Sequence, residues 1–112
     1  MVLKKRVVIL IPTHYNANNN GIREKINGDE YATTYMELTR QFGGCTYDPT
    51  VKHGGWIDAS DGKEYYDENT TFYSDYDDIE ANKQFLNDYK EILKARFRQK
   101  EIYMTTSTIE II

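Results

Sequence analysis

One cysteine, two histidines, one tryptophan and two prolines are spread through 112 residues, and each scarcity removes a class of chemistry. The lone Cys45 excludes an intramolecular disulfide, a zinc knuckle and a Cys-x-x-Cys redox pair, and points to a reducing cytoplasm. His14 and His53 fall in no His-x-His or His-x-x-x-His spacing, so no metal site is expected. Glycines at 43, 44, 54 and 55 lack the phosphate-loop and dinucleotide frames, and no serine sits in a Gly-x-Ser-x-Gly elbow, so neither a cofactor nor a catalytic nucleophile is expected. Lys and Arg number 14 against 18 Asp and Glu, a net charge of −4, which gives no reason to attract bulk nucleic acid or an anionic membrane. No apolar stretch approaches the roughly 20 residues that cross a bilayer. The N-terminal run Val7 to Ile11 imitates a signal peptide but has no small-residue cleavage site behind it, and reads as a first strand.

What is present is enough for one domain. Val7 to Ile11 is a continuous apolar, mostly β-branched run closed by Pro12, which predicts a first strand at about residues 4 to 13. His14 to Gly21 is polar and rich in turn formers, which predicts an exposed, mobile loop and a candidate flexible lid. Tyr31, Tyr35, Leu38 and Phe42 recur at helical spacing over 29 to 42, with Gly43-Gly44 as a stop. Cys45 to Val51 alternates as a strand, with Pro49 marking an edge or a bulge. Trp56-Ile57-Asp58 and Lys63 to Tyr66 flank Asp61-Gly62, a hairpin signal, and Thr70 to Ser74 continues the sheet. Phe85, Leu86, Tyr89, Ile92, Leu93 and Phe97 stripe a second helix over 79 to 98, capped by Asp77 or Asp78. The β-branched C-terminal segment changes apolar parity near Thr106 to Thr108, predicting a strand with a bulge or tight turn. The order is that of a ferredoxin-like βαββαβ domain of the α+β class, with two helices on one face of a mostly antiparallel sheet. If the other sheet face is apolar, a second copy or a ligand must cover it.

Gly55-Trp56 with Asp58, Gly62 and Asp67-Glu68, followed by Tyr89-Lys90 and Phe97-Arg98-Gln99, resembles a family of small uncharacterised bacterial and phage proteins carrying a Gly-x-Trp hairpin and a Phe-x-Gln helix end. The resemblance covers roughly the C-terminal two thirds and implies a ferredoxin-like fold. It brings no catalytic residues. An abundance of Tyr, Ile, Asn and Lys, types with AT-rich codons, fits a low-GC bacterium or a phage.

The remaining functional signal is aromatic and basic. Tyrosines and Trp56 offer flat faces, and arginines offer planar forks that hold phosphate, the combination that grips a nucleotide without reacting with it. Candidate ligand-binding residues are His14, Tyr15, Arg23, His53, Trp56, Tyr65, Arg96 and Arg98. The same residue types also build protein interfaces. Three readings follow: a homo-oligomeric protein that sequesters a nucleotide-derived ligand, as a phage anti-defence sponge would; a ferredoxin-like dimeric oxygenase or isomerase with His14 or His53 as base; and a protein-interaction module. The acidic pairs, Asp67-Glu68 among them, read as solvated turn and cap residues.

Overall fold

Alternation along the first strand decides which side of the sheet becomes the core. In the computed structural model, which describes residues 1–112, strand β1 (Val2–Pro12) buries Val7, Ile9 and Ile11 completely, while Arg6, Val8 and Leu10 point to the other face and are half-buried. Two helices, α1 (Gly28–Phe42) and α2 (Glu80–Arg96), cover the first face. Leu38, Leu86, Tyr89, Leu93 and Phe97 pack there against Phe72 and the odd-numbered residues of β1 in one cluster of 13 buried side chains, and full burial of each large one contributes about 1.5–3 kcal/mol.

Strands β2 (Thr46–Ile57), β3 (Glu64–Tyr76) and β4 (Tyr103–Ile111) complete an antiparallel sheet of order β2-β3-β1-β4. This is the ferredoxin-like βαββαβ arrangement expected from the element order. The β2–β3 ladder slips between Asp48 and Lys52, where Pro49 cannot donate a ladder bond. Pairing of β1 with β4 runs unbroken from Val2 opposite Ile111 to Leu10 opposite Tyr103, so the expected bulge near Thr106 is not formed. The parity change has another cause: Met104 serves the helix side, whereas Ile109 and Ile111 lie on the opposite face of the same regular strand.

Helix ends differ from expectation at one place. Asn27 caps α1 by accepting from the Asp29 N–H, and Gly43 closes it at φ 84°, the left-handed conformation glycine adopts without cost. Neither Asp77 nor Asp78 caps α2. Its N-cap is Ile79, without a side-chain bond, because the Asn82 amide donates back to the Asp77 carbonyl at 2.8 Å and fixes the entry turn instead.

The face away from the helices is mixed in character. Arg6 forms a two-pronged pair with Asp75 at 2.7 and 3.0 Å and lies 4.7 Å over the Tyr73 ring, with Thr71 bonded by the Lys52 ammonium at 2.9 Å beside it. Val8, Leu10, Ile109 and Ile111 share this face with them, so it is apolar in part.

Candidate functional site

Beyond the last pairing of β1, Pro12 opposite Asn69, the β2–β3 hairpin continues alone, and the residues on it become walls. Trp56 and Tyr65 are opposite each other and stack at 4.7 Å with 17° between their planes. Glycines at 54 and 55 keep the neighbouring strand low. A Cβ on Gly55 would come within 3.2 Å of the Tyr66 ring, and one on Gly54 within 3.3 Å of the Asn69 amide.

Asp67, opposite Gly54, is the pivot. One carboxylate oxygen accepts from the Trp56 indole N–H at 3.2 Å and the other from Arg23 at 3.3 Å, and only 18% of the side chain is exposed. Gly54 and Asp67 stand between two cavities and line both.

The larger cavity, about 590 Å³, has Leu10, Pro12, Ile102 and Met104 as its apolar lining, Trp56 and Tyr103 as aromatic walls, and Asp67, Asn69, Glu101 and Lys90 as its polar groups. Its two sides are fastened together. Asp58, at the hairpin tip, accepts from the Ser60 N–H at 2.9 Å and the Ser60 hydroxyl at 2.6 Å, and forms an ion pair with Lys100. Lys100 and then Ser60 hold the Asp58 carboxyl down at about 2, so this clasp is charged throughout the physiological range. Lys100 immediately precedes Glu101 to Met104, which form the opposite wall.

The smaller cavity, about 540 Å³, gathers His14, Arg23 and His53 with Tyr66, Asp67 and Glu68. The His14 ring is 2.8 Å from the Thr13 hydroxyl. His53 lies 4.0 Å from Glu68 with its side chain 80% exposed. Arg23 reaches this place because residues 13 to 26 form a closed arm rather than a free loop. Thr13 donates to the Glu68 carbonyl and Tyr15 to the Glu24 carbonyl, each at 2.8 Å, and Ile26 donates to the Thr13 carbonyl at 2.9 Å. Tyr15 and Ile26 are buried beneath it. Residues 16 to 25 between these bonds are exposed, whereas the predicted loop's start at Tyr15 is buried.

The structure thus brings His14, Arg23 and His53 into one cavity and Trp56, backed by Tyr65, into its neighbour. Tyr15 and Arg98 line neither. The Arg98 guanidinium lies 4.3 Å over the Tyr15 ring, and Arg98 takes φ 48° to do so, a left-handed conformation that costs a non-glycine residue about 1–2 kcal/mol. Arg96 is spent between the helices, 2.5 Å from Glu37 and 3.8 Å from Glu30, and donates to the Thr34 hydroxyl at 2.9 Å and to Tyr89 at 3.4 Å. Burial pushes the Tyr89 phenol up to about 12, so it stays a neutral hydrogen-bonding partner in this network. Cys45 is half-buried against the core, and that burial raises its thiol pKa, the opposite of an activated nucleophile.

Leu10, Asn69, Glu101 and Met104 were not nominated from sequence, and Asp67 was read there as an ordinary turn acid. They come from three separate stretches of chain that the β3–β1–β4 pairing brings together. No group of three or more His, Cys, Asp or Glu side chains is arranged to hold a metal ion, and no helix is long and apolar enough to cross a membrane.

No family model and no curated protein matches this sequence. Among solved structures, the chain is similar to a phage SAM lyase in complex with S-methyl-5'-thioadenosine, with a TM-score of 0.63 and 6% identity over 96% of this chain and 90% of that one. At that identity the likeness concerns the fold, here matched nearly end to end.

Proposed function

We propose that the protein binds an adenosine-type nucleoside in the Trp56 cavity and sequesters it. The observation that carries this reading is the composition of that cavity: an indole and a phenol as walls, an apolar lining, and a carboxylate fixed at its edge by the Trp56 indole and Arg23. A purine needs a flat aromatic partner, and stacking contributes about 1–3 kcal/mol per base. Ribose hydroxyls need acceptors, which Asp67, Asn69 and Glu101 supply. The volume lies within the range of about 300–1,000 Å³ usual for small-molecule sites. A neighbour of the same fold is known with a thioadenosine nucleoside bound, which adds weight to this ligand class.

Trp56 is the only tryptophan, so its fluorescence reports on this cavity alone. Titration with S-methyl-5'-thioadenosine should change the emission and saturate at one ligand per chain. An unchanged spectrum together with no calorimetric heat would refute the reading.

A second reading is an enzyme acting on S-adenosylmethionine. It is favoured by the neighbour's being a lyase and by the surroundings of Trp56 and Tyr103, since aromatic faces and the carboxylates of Asp67 and Glu101 attract a sulfonium cation. His14 and His53, the bases expected under an enzymatic reading, open onto the adjoining cavity across Gly54 and Asp67. Incubation with S-adenosylmethionine and chromatography for S-methyl-5'-thioadenosine separates the two readings. Intact ligand after prolonged incubation supports sequestration, and product formed in excess over protein supports catalysis.

A further inference from the structure

Near the start of β4 the Trp56 cavity adjoins a groove beneath α2. That groove, about 440 Å³, is lined by Lys5, Lys83 and Lys90 with Asp78, over an apolar surface that includes Leu86 and Met104. Lys90 and Met104 line both spaces, so the two adjoin at these side chains. In a chain with net charge −4, three ammonium groups against Asp78, with Glu101 beside Lys90, leave this groove locally positive.

The lysines are held loosely enough to accept a ligand. Lys83 is 4.0 Å from Asp78 and Lys90 is 3.9 Å from Glu101, distances too long for a hydrogen bond. Lys5 donates to the Thr108 hydroxyl at 3.0 Å, leaving further N–H donors, since an ammonium has three. From Met104, which lines both spaces, to Thr106, in the lysine groove on the same face of β4, is about 7 Å along the strand at about 3.3 Å per residue. A nucleoside with a short charged tail spans that distance.

We infer that the groove beneath α2 is an anion subsite, and that the ligand is an adenosine derivative whose 5' substituent carries a negative group, phosphate or carboxylate. The inference rests on the nucleoside reading of the Trp56 cavity and specifies the ligand further. The base and sugar occupy the Trp56 cavity, the 5' side leads past Lys90, and the terminal anion lies among Lys5, Lys83 and Lys90.

The test compares the affinities of adenosine, ADP and S-adenosylhomocysteine by calorimetry, using the intact protein and its Lys5→Ala and Lys83→Ala variants. At least one anionic ligand should bind the intact protein about tenfold or more tightly than adenosine, as expected for one new charge-assisted hydrogen bond. Each variant should lose most of that advantage while binding adenosine unchanged. A preference for ADP identifies phosphate as the tail, and a preference for S-adenosylhomocysteine identifies carboxylate. Equal binding of all three overturns the subsite and leaves the nucleoside reading standing. Pyrophosphate provides the independent arm. If no nucleoside binds but pyrophosphate does, and Lys83→Ala abolishes it, the nucleoside reading has failed and the anion site survives. If pyrophosphate also fails, both are overturned. Both lysines are on the surface, and a thermal melt of each variant within a few degrees of the parent confirms that folding is not the cause of a loss.

Discussion

Replacing Asp67 by Asn separates a binding role from a structural one, because the two roles predict different magnitudes. In the folded protein the carboxylate accepts from Trp56 at 3.2 Å and from Arg23 at 3.3 Å. The amide oxygen of Asn can keep the indole bond. What is lost is the charge facing Arg23, whose side chain is 39% exposed, and such partly solvated pairs contribute about 0.2–1 kcal/mol. The melting temperature should therefore fall by about 4 °C or less. A bound ribose is affected differently. Each carboxylate oxygen has two lone pairs, so both remain able to accept from a sugar hydroxyl, and a hydrogen bond to a charged group contributes about 1.5–3 kcal/mol. Loss of one such bond should weaken nucleoside affinity by about 10- to 150-fold. Calorimetric titration with S-methyl-5'-thioadenosine alongside a thermal melt reads both quantities. An affinity within threefold of the parent, or a stability loss above about 3 kcal/mol, would refute the assignment of Asp67 to the ligand.

Other consequences are as specific. Leu93→Ala empties a fully buried position between α2 and the sheet and should cost about 2–5 kcal/mol in urea unfolding. Arg96→Met removes the charged donor to Thr34 and Tyr89 and the partner of a partly exposed Glu37 and should cost about 1.5–3 kcal/mol with nucleoside affinity unaltered; a large affinity loss would return Arg96 to the site. Asp58, held at about 2 against an ordinary 3.8, contributes stability above pH 4 that is lost as pH falls through 2. Melts across pH 2 to 5 should show a decline that is shallower in Asp58→Asn. Tyr31 and Tyr89, raised by burial from 10.0 to about 12, contribute stability below pH 10 that is lost as pH climbs through 12. Tyr89→Phe should therefore reduce the alkaline slope, measured by urea titration across pH 9 to 12.

The fold was legible where one local signal dominated. The Val7 to Ile11 run, the Phe85 to Phe97 stripe and the Gly43 stop each specify an element through nearest neighbours, and Pro49 marked the one slipped register. Expectation failed where tertiary context overrode the local pattern. Thr106 to Thr108 suggested a kink, but an edge strand is free to place apolar residues on both faces of a straight ladder. Asp77 and Asp78 suggested a cap, but the Asn82 side chain had already fixed that turn. The polar sequence from His14 to Gly21 concealed a clamped arm, because the backbone bonds that close it need partners outside that stretch, at Glu24, Ile26 and Glu68. The site was half legible: Trp56, His14, His53 and Arg23 stood out by rarity or charge, whereas Asn69, Lys90 and Glu101 look ordinary until strand register and the end of α2 bring them together.

The central claim is that the Trp56 cavity is a nucleoside site, and a crystal structure of the protein grown with S-methyl-5'-thioadenosine tests it most directly. The account predicts the purine stacked between Trp56 and Tyr103, with the ribose hydroxyls within hydrogen-bond distance of Asp67. Nucleoside bound elsewhere, or a cavity holding only water at saturating ligand, would contradict it.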